Sequence, residues 1–216
     1  MIKGNYNVKQ IPTGVWKQNC YIVYDNSQNG ILIDPGAEAE IIDEFIVKNK
    51  IKLQAICNTH GHYDHIGAVC YFKKKYLIPF YLHSSDEKLS KSANLYVKIF
   101  ESQKFIEVPK IDYFIDNIES PIKIKGFELN YIHSAGHTMG SVCFKIGNQL
   151  FTGDTILPGQ VGRTDLPGGN KDMLFKSLEI LSKLPNDIII YPGHGKISTL
   201  LKEIKHIEEY INFHAP

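Results

Sequence analysis

The sequence predicts an α/β protein in which helix layers cover sheet layers. Short apolar runs typical of buried strands alternate with longer segments whose apolar residues recur at helical spacing. The last patterned segment is an amphipathic helix. With 43% hydrophobic and 22% charged residues over 216 positions, the chain can bury a large core, which excludes a disordered segment or a coiled coil. A single domain spanning residues 1–216 is expected. The pattern alone leaves open whether it holds one sheet or two.

Each element has a local reason. Asn19 to Tyr24 and Gly30 to Asp34 read as strands joined by a polar turn, and Asp34-Pro35-Gly36 ends the second. Ala37 to Asn49 places Ile41, Ile42, Phe45 and Ile46 on one helical face. Lys52 to Cys57 is a short buried strand. Ile66 to Tyr76 reads as a helix, and Lys73, Lys74 and Lys75 suit the negative end of its dipole better than a nucleic-acid patch. Pro79 to His83 is a strand, followed by a helical stretch from about Asp86 to Lys104. Strands are expected over Ile111 to Ile115, Pro121 to Ile124, Phe127 to Ile132, Ser141 to Ile146, and Leu150 to Thr152. Lys171 to Leu184 is a helix with Met173, Leu174, Leu178, Ile180 and Leu181 as its apolar positions. Ile188 to Tyr191 is a strand, and Ser198 to Ile211 the final helix.

Charge narrows the function classes. Lys plus Arg is 24 and Asp plus Glu is 23, so a net charge of +1 gives no global field for nucleic acid or an anionic membrane. No apolar stretch reaches the roughly 18 residues of a membrane span. The first residues lack the charged-then-apolar layout of a secretory signal. Cys20, Cys57, Cys70 and Cys143 lie far apart and form no C-x-x-C pair. They read as buried, reduced thiols, and a cytoplasmic location is expected.

The chemistry concentrates in Thr59-His60-Gly61-His62-Tyr63-Asp64-His65. A buried strand delivers the chain to this loop. His60 and His62 are alternate residues that can meet one ion, while Asp64 and His65 point elsewhere and can hold a second. Imidazole and carboxylate together suit zinc, iron or manganese. Three later segments share a strand end followed by a glycine-containing turn: Gly136-His137-Thr138, Gly153-Asp154-Thr155 and Gly193-His194-Gly195. Glycines beside each candidate ligand let backbone pack close to the ions.

These motifs, in this order, resemble the metallo-β-lactamase fold superfamily, and within it the glyoxalase II-like (hydroxyacylglutathione hydrolase-like) hydrolases. The resemblance runs from about Asn19 to Gly195. It implies an αββα four-layer sandwich with the site at one edge of two sheets. By matching motif position it implies one metal ion held by His60, His62 and His137, and another held by Asp64, His65 and His194. Asp154 would bridge them. Two divalent ions are expected, zinc first, with iron or manganese as alternatives. The expected reaction is hydrolysis of a thioester such as S-lactoylglutathione by a metal-bridging hydroxide, with Asp64 orienting the nucleophile as the catalytic residue.

Arg163 matches a basic, glutathione-contacting position of that family, which makes it a candidate for gripping a substrate carboxylate. The alternative for Arg163 is an ion pair with Asp165. Only about twenty residues follow Gly195, where glyoxalase II carries a long helical region, so a different or broader thioester is open. The resemblance leaves two rivals: an iron-dependent persulfide dioxygenase, which shares the Gly-Arg-Thr-Asp loop, and a hydrolase of another ester or a lactone. A small-molecule substrate, with no nucleic acid or membrane partner, is expected. Oligomeric state is not legible.

Overall fold

Strands buried on both faces dictate the architecture. The computed structural model describes residues 6–101 and 105–214, so the expected helix end at Lys104 lies outside the described residues. The first sheet contains, in spatial order, β1 (Asn7–Thr13), β2 (Gln18–Tyr24), β3 (Asn29–Ile33), β4 (Lys52–Cys57), β5 (Phe80–Leu82) and β6 (Tyr113–Phe114). Antiparallel pairing joins β1 to β2 and β2 to β3, and parallel pairing continues to β6. Parallel neighbours need crossovers. These are α1 (Ala39–Lys48), then α2 (Tyr63–Ile66) with α3 (Val69–Tyr76), then α4 (Glu87–Lys91) with α5 (Ala93–Phe100).

The second sheet starts with the meander β7 (Ile122–Ile124), β8 (Phe127–His133), β9 (Val142–Ile146) and β10 (Gln149–Gly153). A small hairpin, β11 (Ile156–Leu157) and β12 (Gln160–Val161), and helix α6 (Lys171–Leu181) follow. Then β13 (Ile189–Pro192) pairs parallel to β10, β14 (Ser198–Thr199) closes the edge, and α7 (Leu200–His214) packs outside.

Three apolar layers hold four structural layers together. Cys20, Ile22, Leu32 and Ile56 face Ile42, Ile46, Ile66 and Phe72 of the first helix layer. Tyr21, Val23, Ile31 and Ile33 face Leu129, Val142, Phe144 and Phe151 of the opposite sheet. Cys143, Leu150 and Ile190 face Leu174, Leu178 and Ile207 of α6 and α7. This is the αββα sandwich, and it settles the number of sheets at two large ones.

The structure departs from the expected elements where packing overrides pattern. The sequence reading had no β1. Its adjacent polar residues Lys9 and Gln10 and its Pro12 are features tolerated at an exposed sheet edge. The expected helix from Ile66 starts earlier, at Tyr63, and is interrupted around Gly67, where Ala68 N donates to Pro35 O at 3.0 Å. The helical stretch after Asp86 is split at Ser92 into α4 and α5. Ser198 and Thr199 belong to a strand because they pair with Ile190 and Ile189. Cys20, Cys57 and Cys143 are buried free thiols, whereas Cys70 is only half-buried. No helix among the described residues is long and apolar enough to cross a membrane.

Candidate metal centre

The topology brings the expected ligands together. Strands β3, β4 and β5 run parallel, so the segments after their C-terminal ends lie side by side. Strands β8, β10 and β13 share one direction in the other sheet. His60 follows β4, His137 follows β8, Asp154 follows β10 and His194 follows β13, all at the same rim.

Two triads form there. His60, His62 and His137 offer ring nitrogens within 4.8 Å of one another, and so do the ligand atoms of Asp64, His65 and His194. Nδ1 of His62 lies 3.1 Å from Nε2 of His60 and 3.0 Å from Nε2 of His137. Asp154 stands between the triads. Its Oδ1 is 3.6 Å from His65 Nε2, and its Oδ2 is 3.5 Å from His137 Nε2 and 3.6 Å from His194 Nε2. His65 Nε2 and Asp154 Oδ1 are buried and have no hydrogen-bond partner. Two orphaned polar atoms facing each other carry a cost that a shared cation removes. The donor set therefore fits metal ions.

Outer contacts fix which nitrogen each ring presents. His137 Nδ1 donates to the Arg163 carbonyl at 2.8 Å, leaving Nε2 as a bare lone pair. His194 Nδ1 donates to the Trp16 carbonyl at 3.1 Å. His65 Nδ1 donates to Asp34 Oδ2 at 3.0 Å. Thr59 Oγ1 donates to the same Asp34 oxygen at 2.6 Å, so the hydroxyl can accept from His60 Nδ1 at 3.1 Å.

Burial and the neighbouring histidines hold His60 well below its ordinary pKa, and burial with His137 takes His62 down to about 3. Both are neutral imidazoles at pH 7, the ligand form. Burial opposes a proton on His65, but Asp64, Asp154 and Asp34 outweigh it and raise the group to about 9. Burial likewise opposes the proton on His194, and Asp64 outweighs it. Asp64 is held below the usual carboxylate range by His65 and His194 despite its burial. The second triad thus favours a positive charge at its centre, whether a proton or a metal cation.

Two positioning residues escaped the sequence reading. In the sequence Asp34 marks only the end of a strand. It accepts from Thr59 N and Oγ1 and from His65, from a left-handed backbone with φ of 52°. Asp86, almost wholly buried, accepts from Gly61 N and Gly140 N at 2.8 Å and from Thr138 Oγ1 at 2.7 Å. It ties the His60–His62 loop to the His137 turn. A carboxylate just past a buried strand, beside a parallel neighbour that carries ligands, was the available signal for both. Glycine is required at 193, where a Cβ would collide with Oδ1 of Asp154.

A cleft of about 460 Å³ opens over the centre. His62, Asp64, His137, Asp154 and His194 line its floor, and His60 and His65 sit buried behind them. Trp16, Tyr96, Phe100 and Leu157 form much of its walls. Arg163 also lines the cleft, and its guanidinium pairs with Asp165 through two bonds of 2.7 Å. His133 lies outside the triads, stacked on His83 with ring centres 4.3 Å apart.

A four-layer sandwich that carries, at one sheet rim, a triad of three histidines beside a triad of two histidines and a carboxylate fits the metallo-hydrolase class. The chain belongs to the Metallo-beta-lactamase superfamily, whose profile matches residues 13–194. It is 33% identical over 214 residues to the hydroxyacylglutathione hydrolase GloC of Haemophilus influenzae, covering 95% of this chain and 98% of that one. Among solved structures, BLEG-1 B3 metallo-beta-lactamase superposes with a TM-score of 0.88 at 30% identity, covering 94% of this chain and 99% of that one. TTHA1623 in a di-iron-bound form gives a TM-score of 0.81 at 33% identity, covering 92% and 98%.

Proposed function

We propose that this protein is a dinuclear metallo-hydrolase that cleaves thioesters, with S-lactoylglutathione as the reference substrate. The observation that carries the reading is Asp154, whose two carboxylate oxygens face members of both triads. Its similarity to GloC supports the thioester. His60, His62 and His137 would hold one divalent ion and Asp64, His65 and His194 the other, with Asp154 shared. Zinc is the first assignment, and the same donors suit iron or manganese.

Bound ions of this kind supply an acidified water and a Lewis acid for a carbonyl oxygen. The chain's residues do the rest. The Asp34–His65 and Arg163–His137 hydrogen bonds keep the rings from rotating as charge builds. Asp64 stays ionised and faces the cleft, so its carboxylate can accept a hydrogen bond from the attacking water and orient it. Trp16, Tyr96 and Phe100 exclude bulk water from one side. A thiolate leaving group, with a free-thiol pKa of about 8.5, departs without a general acid.

The test combines metal analysis of purified protein with hydrolysis assays on S-lactoylglutathione, other thioesters, a lactone and a β-lactam. Two metal ions per chain and thioester cleavage support the reading. Oxygen consumption on glutathione persulfide without thioester cleavage replaces it with the dioxygenase.

A further inference from the structure

The walls of the cleft say more about the substrate than its floor does. Arg163 is the one lysine or arginine among the described residues lining the cleft. Its Nε and Nη2 atoms, the edge that grips a carboxylate in two parallel bonds, already donate to Oδ1 and Oδ2 of Asp165 at 2.7 Å. Asp165 sits where a substrate carboxylate would sit. Trp16 and Phe100, both about half exposed, line the same cleft, and Tyr96, Leu157 and Leu166 add to its apolar surface. The indole N–H of Trp16 is committed to the Tyr63 hydroxyl at 2.8 Å, so the ring presents an apolar surface.

We propose that the cleft selects thioesters whose groups flanking the scissile bond are apolar and uncharged, and that Asp165 sets this preference by occupying the carboxylate-binding edge of Arg163. This rests on the thioesterase reading only for the identity of the bond that is cleaved. Substrates bearing carboxylates near the thiol, as glutathione does, must displace Asp165 before they can use Arg163. Uncharged substrates gain the apolar walls at no such cost.

Trp16 is the only tryptophan of the chain, so its fluorescence reports occupancy of the cleft without catalysis. The experiment titrates metal-loaded protein with two uncleavable thioethers carrying the same hexyl group. One is S-hexylglutathione and the other is the S-hexyl ether of N-acetylcysteamine, which is uncharged. The wild type is expected to bind the uncharged thioether more tightly. Because the Arg163–Asp165 pair is exposed and screened, Asp165→Ala is expected to shift the affinity ratio toward S-hexylglutathione by about fivefold. Asp165 is largely exposed, so the variant retains the fold. Equal or tighter binding of S-hexylglutathione by the wild type, a ratio unmoved by Asp165→Ala, or no response from Trp16 to either ligand overturns the proposal. Binding in the expected order without cleavage of any thioester leaves this selectivity standing and removes the thioesterase reading instead.

Discussion

Replacing Asp86 with alanine tests whether the two ligand-bearing loops depend on a shared clasp. The carboxylate accepts three hydrogen bonds, from Gly61 N, Gly140 N and Thr138 Oγ1, all in buried surroundings. Alanine leaves the two backbone donors without an acceptor, at about 1–3 kcal/mol each, while the Thr138 hydroxyl can turn to Ser141 Oγ at 2.8 Å. It also removes the carboxylate's own desolvation cost. That cost is appreciable, because burial pushes the Asp86 carboxyl above its ordinary range even against the lowering from Thr138, Gly61 and Gly140. The net loss then falls in the lower half of that sum, about 3 kcal/mol. For a chain of this size each kcal/mol moves Tm by about 2–4 °C, so a fall of about 6–12 °C is expected. Metal content should fall with it, because Gly61 sits between His60 and His62. Calorimetry and metal analysis on the same preparation read both effects. A Tm within about 2 °C of wild type with full metal content refutes the clasp.

Asp154→Ala is expected to lose at least one metal ion and to lower turnover by more than the roughly hundredfold typical of residues that only support a ligand; metal analysis and a thioester assay check it. Gly193→Ala forces a Cβ into Asp154 Oδ1, and overpacking of this kind costs about 1–3 kcal/mol, visible as a lower Tm and reduced metal retention. In chelator-treated protein, stability should peak between the acidic and alkaline limbs. His62 has its folded pKa lowered to about 3, so the unfolded chain binds more protons between there and about 6.5, and stability is lost as pH falls through that window. His65 is raised to about 9, so the folded state binds more protons above about 6.5, and stability is lost as pH rises toward 9. Tm measured across pH tests both limbs, and His62→Asn should make the acidic one shallower, with His60 supplying the rest.

The seven candidate positions that the fold gathers at one rim stand out in the sequence because they are dense, ordered polar residues at strand ends. The pattern of Tyr21, Val23 and Ile31 gave the strands but not their partners, since a residue facing a helix and one facing another sheet are equally apolar. β1 stayed hidden because an edge strand with Lys9 and Pro12 has no buried alternation strong enough to stand out. Asp34 and Asp86 were missed for a different reason. A carboxylate that serves another residue looks, in one dimension, like any turn-forming acid, and only the parallel order of β3, β4 and β5 puts both beside the histidines.

Arg163 does two jobs with two different parts of itself. Its carbonyl steadies His137 while its side chain faces the cleft. A peptide oxygen survives every side-chain replacement, so the position is free to change its taste for ligands while the ring it supports stays in place. The charge at the mouth of the cleft can therefore be altered here without removing the prop behind the imidazole.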